Sequence, residues 1–192
     1  MHDRPVLTSE KRKKFDEWLA DDRHCAGILT NRPSQTPPGY LSSPEAELGA
    51  ALVALEHLPL LGSGMLAWFA VSQCQLPDYT FLKPNPVHAL ALMQLCLGLP
   101  VEDALVKAYD LWRGEGNRRD WVKFDDSKVV VFEDSVKGFQ SVRSVQVLLA
   151  REKVKIDIKL IGVSANSIKR AELEKIADWV YTDIDQVDWE AL

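Results

Sequence analysis

The chain has 192 residues, of which 46% are hydrophobic and 27% charged, a balance that fits one globular domain with a substantial core and excludes a disordered polymer. A net charge of -5 argues against a nucleic-acid surface, which needs clustered cations facing phosphates. The three cysteines, Cys25, Cys74 and Cys96, show no CxxC spacing, which argues against a disulfide framework or a structural zinc site and suits a reducing cytoplasm.

The first residues carry no apolar core of a secretory signal, and no stretch reaches the length of a membrane span. Ser9 is placed to cap a first helix with Phe15, Trp18 and Leu19 on one face. Within it, Lys11, Arg12, Lys13 and Lys14 alternate with Glu10, Asp16, Glu17, Asp21 and Asp22, which reads as a solvated face. A short apolar run at 26–29 ends in Thr30-Asn31, and a loop rich in Pro, Ser and Gly follows. Ser43-Pro44-Glu45 starts a helix, with a capping side chain, a first-turn proline and an acid near the positive end. Its apolar stripe is Leu48, Leu52 and Leu55. The run at 62–74 suits a buried helix or a strand and is read as helix. Residues 86–97 and 101–112 predict two more helices, and the polar segment at 113–127 an exposed connection.

The last third alternates cleanly. Residues 128–132 form a buried strand, 136–153 a helix, 156–163 a strand, 167–177 a helix and 179–182 a short strand. This order predicts one parallel sheet with helical crossovers.

In a parallel sheet, ligands bind at the carboxyl ends of the strands, and three such places hold polar groups suited to phosphoryl chemistry. The strand at 128–132 runs into Glu133-Asp134-Ser135, with Gly138 one turn later. Two adjacent acids at a strand tip repel unless a cation or hydrogen-bond donors stabilise them, and magnesium is the natural hard cation. An acidic helix start capped by Asp134 or Ser135 explains the same residues equally well. Thr30-Asn31 offers a hydroxyl and backbone amides to a phosphate oxygen, although Thr-Asn after a strand is also ordinary turn chemistry. Lys83, in LKPNP, sits in a φ-restricted segment that aims its ammonium; alone, it also reads as a surface lysine in a proline turn.

Taken in order, GILTNRPS, FLKPNP and VVVFEDSVKG resemble the haloacid-dehalogenase (HAD) superfamily, and FEDSxxG with a later strand ending GVS resembles its phosphoglycolate-phosphatase-like branch. The terminal ADWVYTDIDQVDW is similar to that branch as well. The resemblance implies a Rossmann-like α/β core, a parallel sheet with helices on both faces, and magnesium-dependent hydrolysis of a small phosphorylated metabolite. It further implies that Lys83 is catalytic, that Thr30 and Asn31 bind the substrate phosphate, and that Asp134 and Glu133 hold Mg2+.

Two features depart from the family. The stretch from Lys83 to Glu133 is long, as if a helix and connection around 101–128 were inserted. The family's first motif, a strand ending DxDG(T/V), is absent upstream of Thr30, since the early acids Asp3, Asp16, Glu17, Asp21 and Asp22 follow no strand. The expectation is therefore a single domain spanning 1–192, the C-terminal portion of a HAD-like core. Such a chain is inactive alone and is completed by a longer parent or a complementing chain. The alternative is a noncatalytic phosphate-binding or regulatory remnant, or a gene fragment. A permuted nucleophile at Asp183-Ile184-Asp185 is a further option, although Gln186-Val187 replaces the family's Gly-Thr. If the central strand is missing, the strands ending at Thr30 and Phe132 should flank a gap, leaving the chain poorly soluble or paired unless another segment fills it.

Overall fold

Residues 8–187 are described in the computed structural model; His2, Asp3, Asp188 and Trp189 lie outside the described residues. Thr8, not Ser9, caps the first helix, α1 (Ser9–Leu19), its Oγ1 accepting from the Lys11 N–H at 3.5 Å. No residue of α1 is buried, so the expected apolar face is only partly covered, and Trp18 instead stacks on His24 with ring centroids 4.3 Å apart. The basic cluster is not wholly solvated either. Arg12 donates to Val53 O at 3.1 Å and Ala54 O at 2.5 Å, supplying donors to carbonyls at a helix C-terminus, where cations are favoured.

That helix is α2 (Glu45–Leu52), and its buried residues are Ala46 and Ala50. The expected leucine stripe is not the core face: Leu48 is 60% and Leu52 86% exposed, and Leu55 lies beyond the end of α2, half-buried. Small side chains are needed on the inner face because α2 lies close over the Pro-rich loop, where Ala46 N donates to Pro33 O and Gln35 N to Glu47 Oε1, both at 2.8 Å.

Strands β1 (Ile28–Leu29) and β2 (Leu60–Leu61) pair in parallel. From β2 the chain passes through Gly62 into α3 (Ser63–Trp68), continued by a π turn at Phe69–Gln73, so the ambiguous apolar run is helical. Then come α4 (Pro86–Cys96), α5 (Val101–Arg113) and the short α6 (Arg118–Trp121). The second sheet contains β3 (Ser127–Glu133), β4 (Ile156–Val163) and β5 (Trp179–Tyr181), all parallel in the order β3-β4-β5, with α7 (Val136–Arg151) and α8 (Ser167–Leu173) as connections. The protein is thus α/β, with two small parallel sheets flanked by helices, compatible with a Rossmann-like core. No strand among the described residues joins the two sheets. No helix among them is long and apolar enough to cross a membrane.

What spans the divide is α4. Pro86, Val87, His88, Ala89, Leu90, Ala91 and Gln94 are all buried, the all-round burial of a helix surrounded by protein. It packs against β1 and β2 on one side and α5 and α7 on the others. Helix α5 buries Ala104, Leu105, Ala108 and Leu111 and is capped by Gly114 in the left-handed region (φ 80°). It is an integral layer of the core rather than an appendage. The connection after it is not simply exposed: Trp121 is fully buried, and Lys107 clamps Asp120 at 2.7 Å.

Candidate functional site

Thr30, Lys83 and Asp134 converge. A cleft of about 600 Å³ is lined by Leu29, Thr30, Asn31, Arg32, Pro33, Lys83, Phe132, Glu133, Asp134 and Ser135. All five residues expected from the sequence, Thr30, Asn31, Lys83, Glu133 and Asp134, therefore line one crevice at the carboxyl ends of β1 and β3, where ligands of parallel sheets bind.

The β1 side is built by close backbone approach. The Thr30 N–H donates to Leu61 O at 3.2 Å and the Ser63 N–H to Arg32 O at 2.9 Å, so the loop after β1 lies on the turn after β2. Gly62 and Gly64 allow this. A Cβ on Gly64 would overlap the Ser34 carbonyl, and one on Gly62 would lie 2.8 Å from Arg32 O. Within the loop, the Arg32 N–H donates to Thr30 Oγ1 at 3.1 Å, which leaves the hydroxyl proton able to turn toward the cleft. The Asn31 N–H meets no acceptor among the described residues.

Lys83 is held from several directions. Phe81, fully buried, packs edge-on against Tyr109 and Trp112 of α5 at 5.5 and 5.8 Å. On the other side Asn85 caps α4, accepting from the Val87 N–H at 2.9 Å, while Ser141 of α7 donates to Asn85 O at 2.9 Å. The intervening Lys83–Pro84 peptide is cis. Thus placed, Lys83 Nζ donates to Leu29 O at 3.3 Å and Glu133 Oε2 at 2.5 Å, bonding to both sheets at once.

The acidic pair divides. Glu133 turns inward: Oε1 accepts from Ser135 Oγ at 2.7 Å and the Asp134 N–H at 3.2 Å, while Oε2 faces Lys83. It lies at the N-terminus of α7, where a carboxylate is favoured. Gly138 makes the room, since a Cβ there would overlap the Glu133 carboxyl group. Ser135 also caps α7, accepting from the Gly138 N–H at 3.2 Å. Asp134 turns outward to Lys169 at 2.8 Å, with side chains 60% and 50% exposed. The Lys169 hydrogen bond holds its carboxyl below the usual range, with smaller help from Glu133 and Lys83.

Magnesium asks for near-octahedral oxygen coordination. Both oxygens of Glu133 already face donors, and the ammonium of Lys83 stands where a cation would have to approach. Asp134 is the one acid in the cleft not tied to Lys83, and no cluster of three His, Cys, Asp or Glu among the described residues could hold a metal. As arranged, these residues fit an anion better than a cation.

Sequence reasoning missed Arg32. It lines the cleft, and its guanidinium has no carboxylate partner among the described residues. Its place directly after Thr30-Asn31 was the available signal. The permuted alternative fares differently. Asp183 and Asp185 follow β5, an edge strand two places from β3, and neither lines the cleft. Their carboxylates accept from the Asp185 N–H at 3.0 Å and the Thr8 N–H at 3.1 Å, which is a capping role. Comparison with models of known families, with curated proteins and with solved structures finds no match for the chain.

Proposed function

We propose that the cleft binds the phosphate group of a small phosphorylated metabolite, as the non-nucleophilic half of a HAD-type phosphohydrolase site would. One observation carries this reading. Lys83 is neutralised by Glu133 and Asp134 by Lys169, whereas Arg32, an exposed lining residue of the cleft, pairs with no carboxylate among the described residues and is the cation left over for an anion. The Thr30 hydroxyl and the Asn31 N–H supply neutral donors beside it, and Lys83 adds a positioned ammonium.

Binding in this reading does not extend to turnover by these residues alone. Covalent phosphoryl transfer needs an attacking group, and among the described residues the carboxylates lining the cleft are Glu133 and Asp134, each paired with a lysine. A second reading, magnesium-dependent hydrolysis completed by another segment or chain, draws on the adjacency of these two acids at a strand tip. In it Asp134 meets the metal.

Calorimetric titration with inorganic phosphate separates the outcomes. The proposal expects saturable binding, weakened about tenfold or more by Arg32→Gln, in line with the loss of a charged hydrogen bond. It also expects no turnover of p-nitrophenyl phosphate with magnesium. Absence of binding rejects the proposal, and robust turnover abolished by Asp134→Asn favours the second reading.

A further inference from the structure

Cys25 and Cys96 are far apart in sequence yet adjacent in space. Cys25 lies just ahead of β1, exposed; Cys96 ends α4, half-buried. Gly27, two residues after Cys25, faces the same helix end. A Cβ on it would stand 3.0 Å from Cys96 Sγ and 2.8 Å from Leu92 Cδ1, so only glycine lets this segment lie so close against α4. The Cys25 and Cys96 thiols lie close enough to perturb each other's ionisation.

We propose that Cys25 and Cys96 form a dithiol modification site, oxidised by a hydroperoxide to an intramolecular disulfide, with Cys25 reacting first and Cys96 resolving it. The chemistry follows from their environments. The neighbouring Cys96 thiol, with a smaller contribution from His24, brings the exposed Cys25 thiol down to about 7, so a large fraction is the nucleophilic thiolate near neutrality. Cys96 moves the opposite way, raised by the neighbouring Cys25 and by burial, and stays protonated. In the first step the Cys25 thiolate attacks a peroxide oxygen. An S–O bond forms, the O–O bond breaks, and the other oxygen leaves as water after protonation. In the second step the Cys96 sulfur attacks the Cys25 sulfur. The S–S bond forms, the S–O bond breaks, and hydroxide leaves with the Cys96 proton as water. The two sulfurs together lose two electrons, and hydrogen peroxide is reduced to two waters. Cys74 lacks such a partner, and burial raises its thiol.

The linkage would join the segment entering β1, the strand that Thr30 follows, to the far end of α4, whose start follows Lys83. It does not depend on the phosphate reading.

The test is treatment of the full chain with hydrogen peroxide, followed by non-reducing peptide mapping. The proposal expects a Cys25–Cys96 linked peptide, reversed by dithiothreitol, retained in Cys74→Ser and lost in both Cys25→Ser and Cys96→Ser. It further expects alkylation of Cys25 to speed up about tenfold between pH 6 and pH 8, as a thiol at about 7 requires, and to slow at pH 7 in Cys96→Ser. The mapping uses the wild-type chain, so it does not depend on how any variant folds. Oxidation of Cys25 that halts at sulfinic acid, or links two molecules while Cys96 stays reduced, would overturn the proposal.

Discussion

The ammonium of Lys83 and the carboxylate of Glu133 meet at 2.5 Å across the divide between the two sheets, each side chain only 9% exposed. Lys83 reaches this point from the loop before α4, and Glu133 from the tip of β3. Their pairing joins the β1 side of the cleft, through Leu29 O, to the α7 side. It does for the two sheets what a shared strand would do in a single one.

Removing one partner of such a pair leaves a buried charge without compensation, which costs about 3–5 kcal/mol. Lys83→Met and Glu133→Gln should each destabilise the fold by that order in urea unfolding. The double variant should lose clearly less than the sum of the two. Additive losses would mean that the two charges do not depend on each other.

Gly64 and Gly49 should respond oppositely to alanine. At Gly64 the new methyl group would meet the Ser34 carbonyl, which is backbone and cannot rotate away. We expect a loss of about 2 kcal/mol or more, in the range of overpacking. Gly49 lies within α2 with nothing within 4 Å of its Cβ position, and Gly49→Ala should stabilise by about 0.5–1 kcal/mol. Thermal unfolding of both variants checks the pair. Equal effects would show that the loop after β1 does not lie as close to α3 as described.

How much of this was legible depended on how locally each feature is encoded. The β3-α7-β4 segment could be read directly, because each strand is a short apolar run and Ser135 marks the helix start. The expected burial of the strand at 128–132 was an overstatement, since β3 is only half-buried and Lys128 is exposed. The stripe in α2 misled: Leu48 and Leu52 have the right spacing, but Ala46 and Ala50 face the core because the loop at 33–35 lies too close for leucine. Strand β2 was missed, since two leucines between Pro59 and Gly62 carry no period. The convergence of Thr30, Asn31, Lys83, Glu133 and Asp134 on one cleft was legible because strand-tip positions in a parallel sheet converge. The direction in which Glu133 turns was not. It depends on Lys83, fifty positions away, and on the space that Gly138 leaves.

His88 should make stability pH-dependent. It is fully buried in α4, with Nε2 donating to Leu61 O at 2.9 Å and Nδ1 left without a partner. Burial, with a smaller contribution from Lys83, lowers its pKa from 6.5 to about 4. The unfolded chain therefore binds a proton that the fold refuses between these values. Stability is full above about 6.5 and falls as the pH drops toward 4, by about 3 kcal/mol for this group. In His88→Gln that share of the decline should vanish from urea midpoints measured between pH 7 and pH 4. An unchanged pH slope would show that His88 is not held neutral.

The central claim is that the crevice between the two sheet tips is an anion site built by Arg32, Thr30 and Lys83. Amide NMR during titration with inorganic phosphate tests it most directly. The account predicts saturable shifts concentrated at Thr30, Asn31 and Arg32 and at Glu133, Asp134 and Ser135, shifts that Arg32→Gln weakens while the rest of the spectrum stays folded. Shifts confined to other surfaces, or none that saturate, would contradict it.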